Sequence, residues 1–344
     1  MSQPPQNPPK TALKSRVRQF LPFVGAVLLI GYFLRSTDLA KVHDALQHAN
    51  FIAFIGVILA VSLVVWLYDS YCLVWLIGVT LGHRGTQQNI TLKQVLPLKA
   101  ASYVLNMLNY HAAALGMAVL VGRRKQVPFL EAAGALAVLS YLDLVSVASM
   151  CVAGLLLAPD VLGGNQSLQQ TVQILVTGIF CVALLCLALL QSKWNWPFLV
   201  RLRGISVLRP LASLRPSAMI VGVLLRMGLM LMYTVAAVAV MRTFGMQPEW
   251  RRMLVAMPIL TVIGTLPLSV SGVGTTQVPM RWLYAPFVVD GRAPSPVIDA
   301  YSLAFIFAYI VVRLFIAAPF LRAINAELRA APATAEASLQ ASNP

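Results

Sequence analysis

Apolar residues gather into eight long runs, near 19–35, 51–81, 94–121, 127–158, 169–191, 216–241, 251–288 and 298–323. Each has roughly the 20 residues or more needed to cross a hydrocarbon core of about 30 Å. Between the first two runs, Leu39, Val42 and Leu46 in Thr37–Asn50 suit a short amphipathic helix lying at the membrane interface. The run 251–288 is written unlike a plain span, because Pro258, Gly264, Pro267, Gly272, Gly274, Pro279 and Pro286 interrupt it. Non-helical backbone at membrane depth is tolerated only where protein or a water-filled cavity satisfies its N–H and C=O groups, so this pattern predicts a broken hairpin and a binding site around Thr265–Gln277.

Charged loops set the topology, since Lys- and Arg-rich loops stay cytoplasmic. Lys10, Lys14, Arg16 and Arg18 place the N-terminus inside; Arg123, Arg124 and Lys125 do the same for their loop, and Lys193, Arg201, Arg203, Arg209 and Arg215 for residues 191–215. Arg322 and Arg329 favour a cytoplasmic C-terminus, while 159–168, without Lys or Arg, belongs outside. Counting through, 94–121 must enter and return from the cytoplasmic side, and 251–288 from the outside. Arg242, Arg251 and Arg252 run against this scheme, and two full spans in place of the second hairpin would give the same parity. The hairpin is favoured by the Pro and Gly breaks and by a length that is short for two spans and a turn.

The expected fold is therefore all-α and polytopic: about six full spans plus two oppositely oriented re-entrant helical hairpins. Residues 1–18 form a basic cytoplasmic tail, 19–323 a single integral membrane domain, and 324–344 a disordered cytoplasmic tail. Within the domain, 51–158 and 216–323 read as the two halves of an inverted repeat, which in many transporters places substrate near the midplane where the broken segments meet.

Composition agrees, with 59% hydrophobic and 11% charged residues and a mean hydropathy of +0.78. No small-residue cleavage site follows the first run, so it reads as a retained span. The net charge of +15 sits in short loops beside apolar runs, which points to orientation and anionic lipid headgroups and away from nucleic acid. Cys72, Cys151, Cys181 and Cys186 all lie in apolar runs and offer neither a disulfide framework nor a metal spacing. No nucleophile–base pair, phosphate-binding loop or metal cluster is evident, and no loop is long enough for a soluble catalytic domain; an enzyme and a cofactor are not expected.

The candidate substrate-binding residues follow from polarity at depth. In the second hairpin, Pro267 ends one half-helix, Gly272 and Gly274 permit close backbone approach, and Thr275 or Thr276 is placed to cap the next half-helix, with Ser269, Ser271 and Gln277 alongside. Helix N–H groups there suit an anion such as a lipid phosphate. The first hairpin carries Asn106, Asn109 and His111, whose polar groups must face protein, water or substrate. Close packing of a kinked helix, or hydrogen bonding between helices, would account for both clusters without a substrate. Asp69, Lys99, Asp143, Arg226 and Arg313 also fall at membrane depth and invite pairing of Asp69 with Lys99 and of Asp143 with Arg226 or Arg313. Asp143, Arg226 and Arg313 are counted among the substrate-binding candidates. Arg281, Asp299 and Glu131 lie nearer the interfaces, where solvation is expected, and Trp194, Trp196, Trp250 and Trp282 read as interfacial anchors.

With TLPLSVSGVGTTQ, Asn106–Gly116 followed by GRRKQV, and Leu139–Val145 around Asp143, the chain resembles the lysylphosphatidylglycerol synthase transmembrane region, or flippase-like domain. That region is the membrane half of the multiple peptide resistance factor and also occurs as stand-alone proteins of about this length. The resemblance extends to the number and order of spans and covers nearly the whole chain. Family members commonly carry an acid where this chain has Gln277, a Pro-Gly-Arg-Ala-Gly-Glu-like turn where it has NYHAAALG, and an Arg before the fourth-span acid where Ser140-Tyr141 stand here. Three charged positions are thus neutral, which weighs against proton coupling and a cationic aminoacyl headgroup and admits a different lipid or a glycolipid.

The resemblance implies a lipid translocator of the bacterial inner membrane, moving a phospholipid, aminoacyl-lipid or glycolipid between leaflets. The alternative is an accessory subunit or scaffold for a separate aminoacyl- or glycosyltransferase acting on lipid. Expected partners are membrane lipids, such a transferase on the second reading, and a further copy of the chain if it is a homo-oligomer.

Overall fold

A computed structural model of the chain describes residues 39–82, 90–108, 110–157, 166–265, 276–289 and 291–329. Among them every regular element is helical: α1 (Leu39–Gln47), α2 (Phe51–Leu81), α3 (Leu92–Leu108), α4 (Tyr110–Lys125), α5 (Phe129–Leu157), α6 (Gln166–Gln191), α7 (Pro197–Gly204), α8 (Arg209–Ser213), α9 (Pro216–Thr243), α10 (Trp250–Thr265), α11 (Gln277–Tyr284) and α12 (Pro294–Arg329). Five of these contain stretches long and apolar enough to cross a membrane, within α2, α5, α6, α9 and α12. The expected first span at 19–35 lies outside the described residues.

Both interrupted runs are built from short helices. The first divides into α3, of 17 residues with Pro97 inside it, and α4, of 16 residues. At 1.5 Å per residue neither reaches about 30 Å. The second divides into α10, of 16 residues with Pro258 inside it, and α11, of 8 residues. An internal proline removes an N–H from the helical ladder and clashes with the carbonyl one turn back, so each leading half-helix carries a local break.

Helices α2 and α9 cross antiparallel. The start of α2 meets the end of α9, where the Asn50 N–H donates to the Thr243 carbonyl at 2.8 Å and Phe54 meets Phe244 edge-on at 5.6 Å. Further along, the Tyr68 hydroxyl donates to the Leu225 carbonyl at 3.0 Å. Gly228 permits this approach, because a Cβ there would stand 2.5 Å from the Tyr68 hydroxyl oxygen.

Three sets of the remaining contacts fall into matched pairs. Helix α3 packs on α12 as α10 packs on α5; α2 meets α12 as α9 meets α5; α1 lies on α12 as α8 lies on α5. Exchanging α1–α5 for α8–α12 leaves these neighbours unchanged. Two apolar cores follow the same rule. One joins the start of α2 and Val42 and Ala45 of α1 to α10, α11, α12 and the end of α9; the other joins the end of α2 to α3, α4, α5, Leu211 of α8 and the start of α9. The expected amphipathic helix is thus present as α1, with Val42 and Ala45 turned into the core.

Loop chemistry fixes the ends. Gln126 takes a left-handed conformation (φ 54°), and the Val127 N–H donates to the Gly122 carbonyl at 3.0 Å, closing α4 with a Schellman-type turn. Arg203 donates to the Leu190 and Leu189 carbonyls at 2.9 and 3.0 Å, placing a cation on the C-terminus of α6. Trp194, Trp196, Trp250 and Trp282 are exposed, as interfacial anchors require.

Candidate functional site

Four helices bring their ionisable residues to one place. Lys99 of α3 approaches Asp69 of α2 at 2.8 Å, and Arg226 of α9 approaches the other oxygen of Asp69 at 2.8 Å. The Arg226 Nε also donates to Asp143 of α5. Arg226 therefore bridges two acids, and the group of two carboxylates and two cations is neutral. Burial of a charge is tolerated only with such pairing. Asp69 and Arg226 are 5% and 7% exposed, whereas the Asp143 side chain keeps 22% of its surface and is the open end of the network. The expected Asp69–Lys99 pair is present, and of the two partners open to Asp143 the structure selects Arg226.

The backbone around Arg226 is held from both sides. Tyr68 grips α9 at Leu225, and the Ser146 hydroxyl of α5 donates to the Val223 carbonyl at 3.1 Å. A Cβ on Gly222 would stand 2.7 Å from Leu142 and 3.0 Å from Trp75, so α9 lies close against α2 and α5 there. The guanidinium is positioned by the packing of α9 on α2 and α5.

Arg313 of α12 lies outside the quartet. It is buried, with its guanidinium carbon 4.3 Å from the ring centroid of Tyr103 and 3.7 Å from that of Tyr309, and it donates to the Tyr309 hydroxyl. No carboxylate among the described residues pairs with it. With Ser62, Tyr103, Tyr233 and Tyr309, Arg313 lines a cavity of ≈ 50 Å³ whose other walls are apolar. The Tyr103 hydroxyl is buried and has no hydrogen-bond partner.

The other expected site residues divide as follows. Gln277 is buried at the start of α11, and Asn106 is half-buried near the end of α3. Thr276 is the N-cap of α11, but its side chain makes no capping hydrogen bond. His111 is in α4, with a side chain outside the described residues; Asn109, Ser269, Ser271, Gly272, Gly274 and Thr275 lie outside them altogether. The expectation of interfacial solvation fails for Asp299 and Arg281. Asp299 is 2% exposed and takes a two-pronged contact from Arg281, at 2.8 and 2.7 Å, which ties α11 to α12.

Sequence reasoning placed Asp69 and Lys99 at depth without counting them in the site, and it missed the tyrosines. Their signal was helical spacing: Lys99 and Tyr103 are four apart on α3, Tyr309 and Arg313 four apart on α12, and Arg226 and Tyr233 seven apart on α9. Each pair stacks a cation and a phenol on one helix face. Among the described residues no cluster of His, Cys, Asp and Glu is arranged to hold a metal.

No curated protein and no solved structure matches the chain. The family model for the lysylphosphatidylglycerol synthase TM region matches residues 19–317, which takes in both broken segments, the ion quartet and Arg313. The chain is a multi-pass membrane protein with a membrane-embedded, lipid-related domain, and it belongs to the lysylphosphatidylglycerol synthase TM region family.

Proposed function

We propose that the protein is a lipid translocator of the bacterial inner membrane, with both termini cytoplasmic, that passes the polar head of an amphiphile between leaflets while its tails stay in lipid. The observation that carries this reading is the buried quartet Asp69, Lys99, Arg226 and Asp143, which joins α2, α3 and α5 to α9 within apolar helices. Charges at such depth are costly and face a pathway or one another; Asp143, at the open end, is the member able to meet a substrate.

The exchange pattern of the helices supports an inverted-topology repeat. Helices α3 and α10 pack on α12 and α5, α2 and α9 meet α12 and α5, and the leading helices α2 and α9 run antiparallel. The segments Gly122-Arg-Arg-Lys-Gln-Val-Pro-Phe-Leu-Glu-Ala132 and Gly291-Arg-Ala-Pro-Ser-Pro-Val-Ile-Asp-Ala300 open α5 and α12 with the same order of glycine, arginine, proline and acid. On this reading α3/α4 and α10/α11 are re-entrant hairpins entering from opposite sides. The substrate path lies between them, and alternating access is a rocking of one half against the other about the α2–α9 crossing.

Purification in native membrane discs followed by lipid mass spectrometry tests the proposal. A polar lipid enriched over the disc average, and reduced to that average in Asp143→Asn, is the expected result. Retention of no lipid, with a lipid-modifying transferase co-purifying in fixed ratio, would instead support the accessory-subunit reading.

A further inference from the structure

We infer that Arg313, Tyr103 and Tyr309 hold a small monovalent inorganic anion, a halide such as chloride, as a resident counter-ion of the helical core; the site stands whether or not the protein moves lipid. The first observation is charge. Asp69 and Asp143 are already matched by Lys99 and Arg226, so Arg313 leaves these five groups with one positive charge in excess. Arginine does not deprotonate in proteins. The acids of its own helix, Asp299 and Glu327, lie about four helical turns to either side, roughly 21 Å away, and Asp299 is taken by Arg281. A buried cation needs a partner of opposite charge, and the faces of Tyr103 and Tyr309 supply only part of that stabilisation.

The second observation is independent of charge. The Tyr103 hydroxyl is buried, has no hydrogen-bond partner and belongs to a side chain lining the same cavity as Arg313. A buried donor left unmade is costly, and an acceptor in the cavity would satisfy it. Tyr309 lines the cavity too, and because its hydroxyl oxygen accepts from Arg313, its own hydrogen remains to donate. A guanidinium and two phenols thus bring donors to one space, and no carboxylate among the described residues lines it.

The third is the space itself. A cavity of ≈ 50 Å³ holds about three or four water-sized atoms, which admits a halide with two or three waters and excludes a lipid headgroup. Apart from Arg313, Ser62 and the tyrosines its walls are apolar, among them Val61, Val65, Ala236 and Ile316. Such walls cannot repay the dehydration of a multiply charged or strongly hydrated ion. One monovalent anion neutralises the excess, and a weakly hydrated halide loses least on entering. Guanidinium is itself weakly hydrated, which suits the pairing.

The test is binding of radiolabelled chloride to the purified full chain in detergent, with melting temperature followed in parallel in chloride and in gluconate at equal ionic strength. Wild type is expected to take one chloride per chain, displaced by bromide and iodide at equal or lower concentration and by fluoride and inorganic phosphate only at far higher. At a dissociation constant of about 10 mM, about 150 mM chloride biases the folded state roughly sixteenfold, which raises the melting temperature by about 3–6 °C over gluconate. Tyr103→Phe should weaken chloride about fivefold through one lost hydrogen bond. Arg313→Met should lose both chloride binding and the chloride-dependent shift, yet melt in gluconate no lower than wild type, because it removes a cation that gluconate leaves unmatched. The absence of saturable chloride binding by folded wild type would overturn the inference. So would an Arg313→Met protein that binds chloride like wild type or is destabilised equally in both salts, and so would displacement of chloride by phosphate at the concentration that bromide needs.

Discussion

Replacing Arg226 with methionine keeps most of the side chain's length and removes its charge. Before the change, two carboxylates face two cations; afterwards Asp69 retains Lys99 at 2.8 Å, and Asp143 loses the cation it contacts. The local charge falls from zero to minus one. At an effective dielectric near 20, each unit pair about 4 Å apart contributes roughly 4 kcal/mol of attraction, and breaking a buried pair by removing one partner typically costs about 3–5 kcal/mol. The lower end applies, because the Asp143 side chain is 22% exposed and can take up water. A loss of about 3 kcal/mol lowers the melting temperature by roughly 6–12 °C on the scale of domains of 150–250 residues. The assay is a double-mutant cycle of Arg226→Met, Asp143→Asn and the pair, measured by thermal unfolding in one detergent. Adding Asp143→Asn returns the group to neutrality, so the double variant should recover at least half of the single variant's loss. An Arg226→Met protein within about 0.5 kcal/mol of wild type, or losses that simply add, would refute a charge-balanced quartet.

Three further substitutions test the packing that holds the site. Gly228→Ala should destabilise by about 1–3 kcal/mol, because the new Cβ would stand 2.5 Å from the Tyr68 hydroxyl oxygen; Tyr68→Phe in the same chain should relieve most of this in melting experiments, and an unrelieved loss would contradict the geometry. Arg281→Lys should not restore what Arg281→Ala loses, since the two-pronged contact to Asp299 needs the guanidinium fork; proteolysis of the α11–α12 connection is the readout, and equal protection by lysine would count against it. Gln126→Gly should stabilise by about 0.5–1 kcal/mol, because Gln126 holds a φ of 54° that glycine adopts without steric cost; chemical denaturation checks the sign.

The long apolar helices were legible because hydrophobic length is a one-dimensional property. The apolar runs at 51–81, 127–158, 169–191, 216–241 and 298–323 correspond closely to α2, α5, α6, α9 and α12, and the interrupted runs to pairs of short helices. Polarity at depth also singled out Asp143, Arg226 and Arg313, since a charge in an apolar run stands out wherever it folds. Pairing was only half legible. Nothing in the sequence says that Arg226 reaches Asp69 as well as Asp143, because that depends on how closely α9 approaches α2, and the two glycines that permit it, Gly222 and Gly228, resemble any others in an apolar run. Asp299 was misread because its position near a run's end suggested water, while the fold covers that end with α11 and supplies Arg281. The tyrosines around Arg313 escaped because phenols are ordinary in apolar segments and come together only when three helices, α3, α9 and α12, meet.

Leaflet transfer of head-labelled phosphatidylglycerol in proteoliposomes, read by quenching from the outer face, separates a translocator from an accessory subunit. Wild type is expected to equilibrate the label between leaflets, and Asp143→Asn and Gly272→Leu, folded and inserted to the same extent, are together expected to reduce transfer to the rate of protein-free vesicles. Transfer by the double variant at the wild-type rate, or none by wild type for any polar lipid supplied, would contradict the translocator reading.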